Sequence, residues 1–250
     1  MIDIHNHILP GVDDGASDIY ETLEMVRLAE ESGVTAIVAT PHCNITGGEE
    51  NYYSEEYIAN IRNVREIVKE EGFSVEILPG AEAFATPQLP ELLQDGKIMT
   101  LNQSKYLLME FDFHANPEFA EWITEEVRKL GVIPVIAHPE RYRFVQKDPN
   151  IVYRWRMKGY PIQINKGSFL GKFGNSAREC AYLLMDHHLV SVVASDAHSP
   201  YRRTPHMRKT YQELLAEYPK SYVEMVFEEN PRRICNNEPI LGLKPREVEE

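Results

Sequence analysis

A single α/β domain wound as a barrel of parallel strands is the fold this sequence predicts, and three observations predict it. Short apolar runs alternate with longer amphipathic stretches along the chain. The spacers are long enough for crossover helices, which implies parallel βαβ units. The length of 250 residues, 43% of them hydrophobic, suits one barrel-sized core. Expected strands are Met1–His5, Thr35–Ala39, Ser74–Leu78, Tyr106–Phe111, Ile133–Ala137, Pro161–Ile164 and Val190–Ala194. Expected helices are Asp18–Ser32, Ser54–Glu71, Pro117–Leu130, Asn150–Lys158, Asn175–His188 and Pro205–Glu217. Seven strands favour a closed or nearly closed barrel over an open sheet, and neither G-x-G-x-x-G nor a P-loop is present to argue for a doubly wound nucleotide fold.

The first helix shows how the elements are justified. Asp18 with Glu21 reads as a capping box, Ile19, Leu23, Val26 and Ala29 as an apolar stripe, and Gly33 as the stop. Gly72, Gly131 and Gly159 close the next helices in the same way. The segment from His42 to Tyr53, with Gly47-Gly48, reads as a long loop placed to cover a site. Lys244 to Glu250 read as a charged, frayed tail, leaving one domain over residues 1–243.

The net charge of −13 argues against nucleic acid as the partner, because phosphate-backbone binding calls for a basic face and no such Lys/Arg cluster appears. No stretch approaches the roughly 18 apolar residues of a membrane span. Met1-Ile2-Asp3-Ile4-His5 has neither the basic start nor the apolar core of a secretory signal. Cys43, Cys180 and Cys235 are odd in number, far apart and without a C-x-x-C pair, so neither a disulfide framework nor a zinc knuckle is expected. A reducing, cytoplasmic setting fits.

The histidines and carboxylates fall in register with the strands. The first strand ends in His5-x-His7 and the second runs through Thr40-Pro41 into His42. The third delivers Glu82, the fourth Glu110, the fifth His138 and the seventh Asp196-x-His198. In a βα barrel these ends converge on one mouth, where the active sites of the fold lie. Residues i and i+2 of a strand face the same side, so both rings of an H-x-H pair can reach one ion. Mixed imidazole and carboxylate suits Zn, Mn or Fe. Within Asp13-Asp14-Gly15 the pattern does not separate the two aspartates. His114, His187, His188 and His206 read as loop or helix-end residues. Arg141 follows His138 closely and the pair Arg202-Arg203 follows His198; guanidinium forks match phosphate oxygens and supply the local positive charge an acidic protein needs there.

These motifs resemble the polymerase and histidinol phosphatase (PHP) superfamily: His5-x-His7, Thr40-Pro41-His42, Gly80-x-Glu82, Ile136-Ala137-His138 and Ala194-Ser195-Asp196-Ala197-His198. Asp13-Asp14-Gly15, Leu108-Met109-Glu110-Phe111, Pro139-Glu140-Arg141 and Gly167-Ser168-Phe169-Leu170-Gly171 make the chain most similar to the bacterial manganese-dependent protein tyrosine phosphatases of capsule and exopolysaccharide synthesis. The resemblance runs from residue 1 to about residue 240. It implies a distorted (β/α)7 barrel and three divalent ions, Mn foremost, with Fe or Zn as alternatives. His5, His7, Glu82 and Asp196 would hold the first; Glu82 would bridge to a second completed by Glu110 and His138; Asp14, His42 and His198 would hold the third. Glu110 and Asp14 stand where many superfamily members carry histidine, as in the tyrosine phosphatase branch. Four carboxylates against three divalent ions leave the cluster about two units positive, which favours a phosphate dianion.

The implied reaction is hydrolysis of phosphotyrosine by a metal-activated water or hydroxide, with Arg141 and Arg203 on the phosphate and His42 or Asp14 as groups that could assist proton transfer. The expected substrate is a phosphotyrosine protein, a tyrosine autokinase of polysaccharide export, with peripheral recruitment to that membrane-associated partner. A cysteine mechanism is unsupported, since the residues six positions after Cys43, Cys180 and Cys235 are Glu49, Asp186 and Leu241 rather than arginine. Rival readings are a histidinol-phosphate or other small-molecule phosphatase, a nuclease-like domain that the acidic balance disfavours, and a metal-binding module without turnover.

Overall fold

All seven expected strands form, with boundaries shifted by at most two residues, in a computed structural model that describes residues 1–248. They are β1 (Ile2–Asn6), β2 (Ala36–Ala39), β4 (Glu76–Pro79), β6 (Tyr106–Glu110), β7 (Ile133–Ala137), β8 (Ile162–Asn165) and β9 (Val192–Ala194). Two short strands were not expected, β3 (His42–Cys43) and β5 (Glu82–Phe84). Two or three residues carry no readable alternation, and each is set off from the strand before it by a breaker, Pro41 or Gly80. Proline has no N–H to give the ladder. At Gly80 a Cβ would lie 2.6 Å from Val38 Cγ1, so the chain passes too close to β2 for any side chain.

Pairing is parallel throughout and falls into two sheets, β1-β2-β4 and β3-β5-β6-β7-β8-β9. The ladder is interrupted where β2 passes into β3 and β4 into β5. The first and last strands meet: Asp196 N–H donates to His5 O and His7 N–H to Ala197 O, both at 2.9 Å. Buried Asp3 fastens this seam, accepting from the Ser195 N–H (2.9 Å), the Ser195 hydroxyl (2.6 Å) and the Asn6 carboxamide (2.9 Å).

Strand alternation divides the core in two. Ile4, Val38, Leu108, Val135, Val192 and Ala194 belong to an inner cluster; Ile37, Ile77, Leu107, Met109, Ile136 and Ile164 belong to the larger cluster packed under the helices. Strands buried on both faces read as continuous apolar runs, as they do here. In β6, Tyr106 and Leu108 share a face with Glu110, so the period that fills the interior also carries Glu110 to its C-terminal end.

The expected helices are α1 (Ile19–Glu31), α2 (Glu55–Glu70), α4 (Pro117–Lys129), α6 (Asn150–Met157), α8 (Asn175–Asp186) and α9 (Arg208–Glu217). α9 starts later than expected, so His206 precedes it. Asp18 caps α1 by accepting from the Tyr20 and Glu21 N–H groups, while Glu21 reaches back to the Ser17 N–H. The buried face of α1 is Thr22, Met25, Val26 and Ala29; Ile19 and Leu23 lie at its margin. Shorter helices α3 (Leu89–Gln94), α5 (Arg143–Lys147), α7 (Lys166–Phe169), α10 (Lys220–Glu224) and α11 (Asn230–Cys235) were not expected; four to six residues are too few to show a helical stripe. The 42–53 segment folds on itself through Asn44 N–H to Glu50 O and Ile45 N–H to Glu49 O, and Asn51 Nδ2 pins it to Val12 O and His42 O.

The described part of the expected tail is not free. Arg246 donates to His187 O through its N–H and to Asp186 O through its guanidinium, so the carbonyls ending α8 acquire partners, and Val248 N–H donates to Asn150 Oδ1 (2.9 Å) at the start of α6. Glu249 and Glu250 lie outside the described residues. No helix among the described residues is long and apolar enough to cross a membrane.

Tyr57, on α2, spans the β4–β5 break: its hydroxyl donates to Gly80 O (2.7 Å) and accepts from Gly80 N–H (2.9 Å). Tyr57→Phe leaves both buried backbone groups without partners, and the expected cost is about 1–3 kcal/mol of stability, read as a lower denaturant midpoint. A midpoint unchanged from wild type would show that the clamp does not hold the break.

Candidate metal centre

Glu82 opens β5, beside His42 of β3 in direct register. Its carboxylate is buried among four imidazoles. Oε2 lies 3.1 Å from His5 Nε2, 3.3 Å from His7 Nε2 and 3.1 Å from His42 Nδ1; Oε1 lies 3.0 Å from His138 Nε2. Asp196 Oδ1 adds 3.4 Å to His5 Nε2 and 3.6 Å to His7 Nε2. Glu110 approaches His42 Nδ1 (3.6 Å) and His138 Nε2 (3.5 Å). At the rim, Asp14 Oδ1 lies 3.4 Å from His42 Nε2 and 3.2 Å from His198 Nε2. All nine sequence-predicted ligand positions therefore meet in one place. Ligand atoms group within 4.8 Å of one another as His5–His7–Asp196, His5–Glu82–His138, His42–Glu82–Glu110 and His7–Asp14–His42–His198. His42 touches two groups, one through each ring nitrogen.

The tautomers of His5 and His7 are fixed by the partners of their Nδ1 atoms. His5 Nδ1 faces Gln163 Oε1 at 2.9 Å, and this oxygen also accepts from the His138 N–H, which fixes the orientation of the carboxamide. His7 Nδ1 faces Asp13 Oδ2 at 2.7 Å. Each Nδ1 must therefore donate, so in the neutral rings both Nε2 atoms present lone pairs. Those two atoms stand 3.3 Å apart, beside Glu82 Oε2. Lone pairs of two imidazoles and two carboxylates converging on one point repel unless a proton or a cation lies among them. Buried Glu82 Oε2, His42 Nδ1 and His198 Nε2 have no hydrogen-bond partner among the described residues. A divalent cation suits this donor set, and a histidine whose other nitrogen is tied to a carboxylate or carbonyl oxygen is the usual metal-binding form.

Asp13 and Asp14, inseparable by pattern, have different tasks. Asp13 is turned inward, where it holds His7 and also accepts from the Gly15 and His42 N–H groups (both 2.9 Å); Asp14 faces the rim histidines. Gly15 is required by closeness, since a Cβ there would sit 2.2 Å from His7 O. β8, the one expected strand to which no site residue was assigned, supplies Gln163 for His5 and Asn165, whose side chain donates to Asp196 Oδ2. A lone glutamine between two isoleucines in a strand buried on both faces was the available signal. His138 (φ 32°) and Asp196 (φ 50°) occupy the left-handed region, costly for residues with a side chain and commonest at functional sites.

Both arginines are present. Arg141 Nη1 lies 3.3 Å from Asp196 Oδ2, and Arg203 contacts the same oxygen. The Phe113 and Phe173 rings flank the Arg141 guanidinium at 4.6 and 4.3 Å; neither ring was singled out from sequence. Arg202 is exposed and its N–H donates to Ser199 Oγ (3.2 Å), which separates it from Arg203. Glu140 is buried, accepts from the Ser168 hydroxyl and the Asn165 N–H, and anchors the turn that bears Arg141. His114 is exposed, while His187 and His188 bond to the tail carbonyls Glu247 O and Lys244 O. The three cysteines are buried and unpaired, and burial raises each thiol to about 12, which removes a thiolate nucleophile.

The electrostatics are strongly coupled. Burial opposes charge on His5, but Glu82 and Asp196 outweigh it and raise the ring to about 9. Burial also opposes charge on His42, where Glu82 prevails and the value is about 10. Glu110, buried and beside Glu82, rises to about 8. Burial holds His138 down at about 4. Glu82 and Asp196 fall below the ordinary carboxylate range because His5 and neighbouring cations overcome their burial.

Comparison with known proteins agrees with this geometry at two levels. At the level of fold, the chain is similar to a lactonase from Listeria monocytogenes (TM-score 0.58, 14% identity, 93% of each chain) and an organophosphorus hydrolase from Deinococcus radiodurans (TM-score 0.57, 12% identity, 93% of this chain and 92% of that one). At the level of sequence, residues 1–236 match the model of a family described as capsular polysaccharide synthesis, CpsB/CapC, and the chain belongs to that family. It is 35% identical over 248 residues to the tyrosine-protein phosphatase YwqE of Bacillus subtilis, covering 99% of this chain and 96% of that protein. It is 34% identical over 239 residues to the tyrosine-protein phosphatase CpsB of Streptococcus pneumoniae (94% and 98%). A solved structure from work on YwqE and CpsB, described as unique metal-dependent tyrosine phosphatases, superposes with a TM-score of 0.93 at 34% identity over the whole of both chains.

The raised groups give a signed expectation for the chelator-stripped protein. His5, His42 and Glu110, at about 9, 10 and 8, bind protons more tightly folded than unfolded. Their protonated forms favour the native state at lower pH. Glu110 loses its contribution as pH rises from 4.5 through about 8, and His5 and His42 lose theirs as pH rises from 6.5 through about 9 and 10, so from pH 7 to 10 the net change is a loss. The stripped protein should therefore lose thermal stability across this window, and bound divalent ions, which displace those protons, should reduce the loss. A melting temperature flat from pH 7 to 10 without metal would contradict it.

Proposed function

We propose that this chain is a metal-dependent protein tyrosine phosphatase, one domain over residues 1–243, acting in capsular or exopolysaccharide synthesis. The observation that carries the reading is the meeting of nine His and carboxylate side chains with Arg141 and Arg203 at one mouth. The two sheets and the β1–β9 hydrogen bonds support reading the fold as a distorted seven-stranded barrel of the PHP type. The substrate would be a phosphotyrosine protein, foremost a tyrosine autokinase, met in the cytoplasm or at the membrane surface where such a kinase sits.

Three divalent ions, with Mn foremost, fit the donor set: His5, His7, Glu82 and Asp196 for one, Glu82, Glu110 and His138 for a second, Asp14, His42 and His198 for a third. Such ions, when bound, supply Lewis acidity and lower the pKa of coordinated water towards ~7. The chain's own residues do the rest. Gln163 and Asp13 hold the His5 and His7 tautomers. Arg141 and Arg203 offer forked donors to two phosphate oxygens. Phe113 and Phe173 keep the Arg141 plane in place and offer apolar faces to a phenyl ring. Asp14, two-thirds exposed at the rim, would be the most solvent-accessible of these ligands, and its hydrogen bond with His198 holds its carboxyl well below the ordinary range. A phenolate (parent pKa ~10) needs less proton assistance than an alkoxide.

Stripping the protein with chelator should abolish phosphate release from a phosphotyrosine peptide, and added Mn should restore it, with histidinol phosphate turned over far more slowly. Preference for histidinol phosphate would keep the metal site and overturn the substrate; metal retention without release from either would indicate a binding module. In the Mn-loaded enzyme, Arg141→Ala should lower kcat/KM by about 10²–10³, the scale of losing one preorganised donor to the transition state. A loss under about threefold would remove Arg141 from that role.

A further inference from the structure

A cavity of about 310 Å³ adjoins the metal centre and shares Arg203 with it. Its cationic lining is Lys166, Lys172, Arg202, Arg203 and Lys209, and no carboxylate lines it. In a chain of net charge −13 such a concentration of like charge is costly unless it has a use. Two of the cations are engaged elsewhere, Arg203 on Asp196 and Lys209 on Glu213 at 3.8 Å. Lys172 and Arg202 form no ion pair among the described residues. Lys166 is only 7% exposed, and its ammonium group donates to His206 O at 3.0 Å, which leaves two of its three N–H donors without partners among the described residues. Burial draws its pKa down to about 8, the mark of a cation short of counter-charge. Phe173 lines the same cavity and lies 4.3 Å from the Arg141 guanidinium and 5.7 Å from that of Arg203, so the cavity begins where the phosphate-facing pair ends.

We infer that this cavity is a subsite for a second anionic group on the substrate, a carboxylate or phosphate carried by a residue flanking the phosphotyrosine. The inference rests on the phosphatase reading given above. Lys166 is the buried anchor of the subsite, and exposed Lys172 and Arg202 are its adjustable rim. The preference acts on binding rather than on chemistry, because none of these three cations touches the nine converging side chains.

The test uses the Mn-loaded enzyme and three phosphotyrosine peptides that differ only in flanking residues: glutamine, glutamate or phosphoserine. Relative to the glutamine peptide, the glutamate peptide should show a KM lower by about three- to tenfold, with kcat within twofold, as expected for one or two partly screened ion pairs. A larger gain with phosphoserine would identify phosphate as the preferred anion, and equal gains a general anion site. In Lys172→Ala/Arg202→Ala the KM ratio between glutamine and glutamate peptides should fall to near one, as it should in wild type at high salt. Binding of the unphosphorylated glutamate peptide, followed by fluorescence anisotropy, gives a second readout independent of turnover. It should weaken by a similar factor in the double variant. Equal KM values for all three peptides, or a ratio and an anisotropy titration unmoved by the double variant, would overturn the subsite. Failure to hydrolyse any peptide would count against the phosphatase reading, while the anisotropy titration would still decide the subsite.

Discussion

One buried carboxylate, Glu82, stands within 3.0–3.3 Å of four imidazoles, two from the end of β1 and one each from β3 and the end of β7. An ionised carboxylate withdrawn from water is costly unless it is paired, and here the pairing groups come from positions 5, 7, 42 and 138. The two sheets must therefore assemble with these strand ends in one register. A slip of one residue in any strand would turn its ligand to the opposite face. The break between β4 and β5 serves the same constraint. Gly80 lets the chain pass against Val38, and Tyr57 satisfies the backbone groups freed there, so that Glu82 enters at the level of His42.

A second constraint lies at the seam between the first and last strands. Asp3, Asn6 and Ser195 form a buried polar knot in which both Asp3 carboxylate oxygens are satisfied, while Asn6 Oδ1 has no partner among the described residues. Such networks add order where their members have partners. This one joins His5 and His7 to Asp196 and His198, residues nearly 200 positions apart, and the left-handed backbone at Asp196 is held by the bonds on either side of it. Strain at His138 and Asp196 is thus supported by packing formed elsewhere, as sites that must aim a side chain often require.

Much of this was legible in the sequence, for a physical reason. Strand ends, apolar runs and helix stops are local signals, and a ligand following directly on an apolar run inherits its position from that run; His5, Glu110, His138 and Asp196 are of this kind. What stayed hidden was either short or long-range. β3 and β5 contain too few residues to show a period. Gln163 and Asn165 matter through distant partners, among them His5 and Asp196, 158 and 31 positions away. Asp13 and Asp14 share one local context and differ only in which way the turn aims them. Phe113 and Phe173 looked like ordinary apolar residues until the fold placed Arg141 between them.

Asp196 finally links the two halves of the site. Its Oδ1 faces His5 and His7, while its Oδ2 receives Arg141, Arg203 and Asn165. A single negative charge is thereby shared between the proposed metal ligands and the proposed phosphate-binding arginines. Under the proposed function, Asp196 commits more of its charge to cations on the Oδ1 side as the centre fills, and its hold on the two guanidiniums weakens accordingly. Arg141 does not then collapse or drift, because the rings of Phe113 and Phe173 fix its plane independently of Asp196. On that reading the arginines would be freer to meet a phosphate once cations share the charge of Asp196. Metal loading and substrate recognition would in this way be parts of the same electrostatic balance, set by one carboxylate just past the end of the last strand.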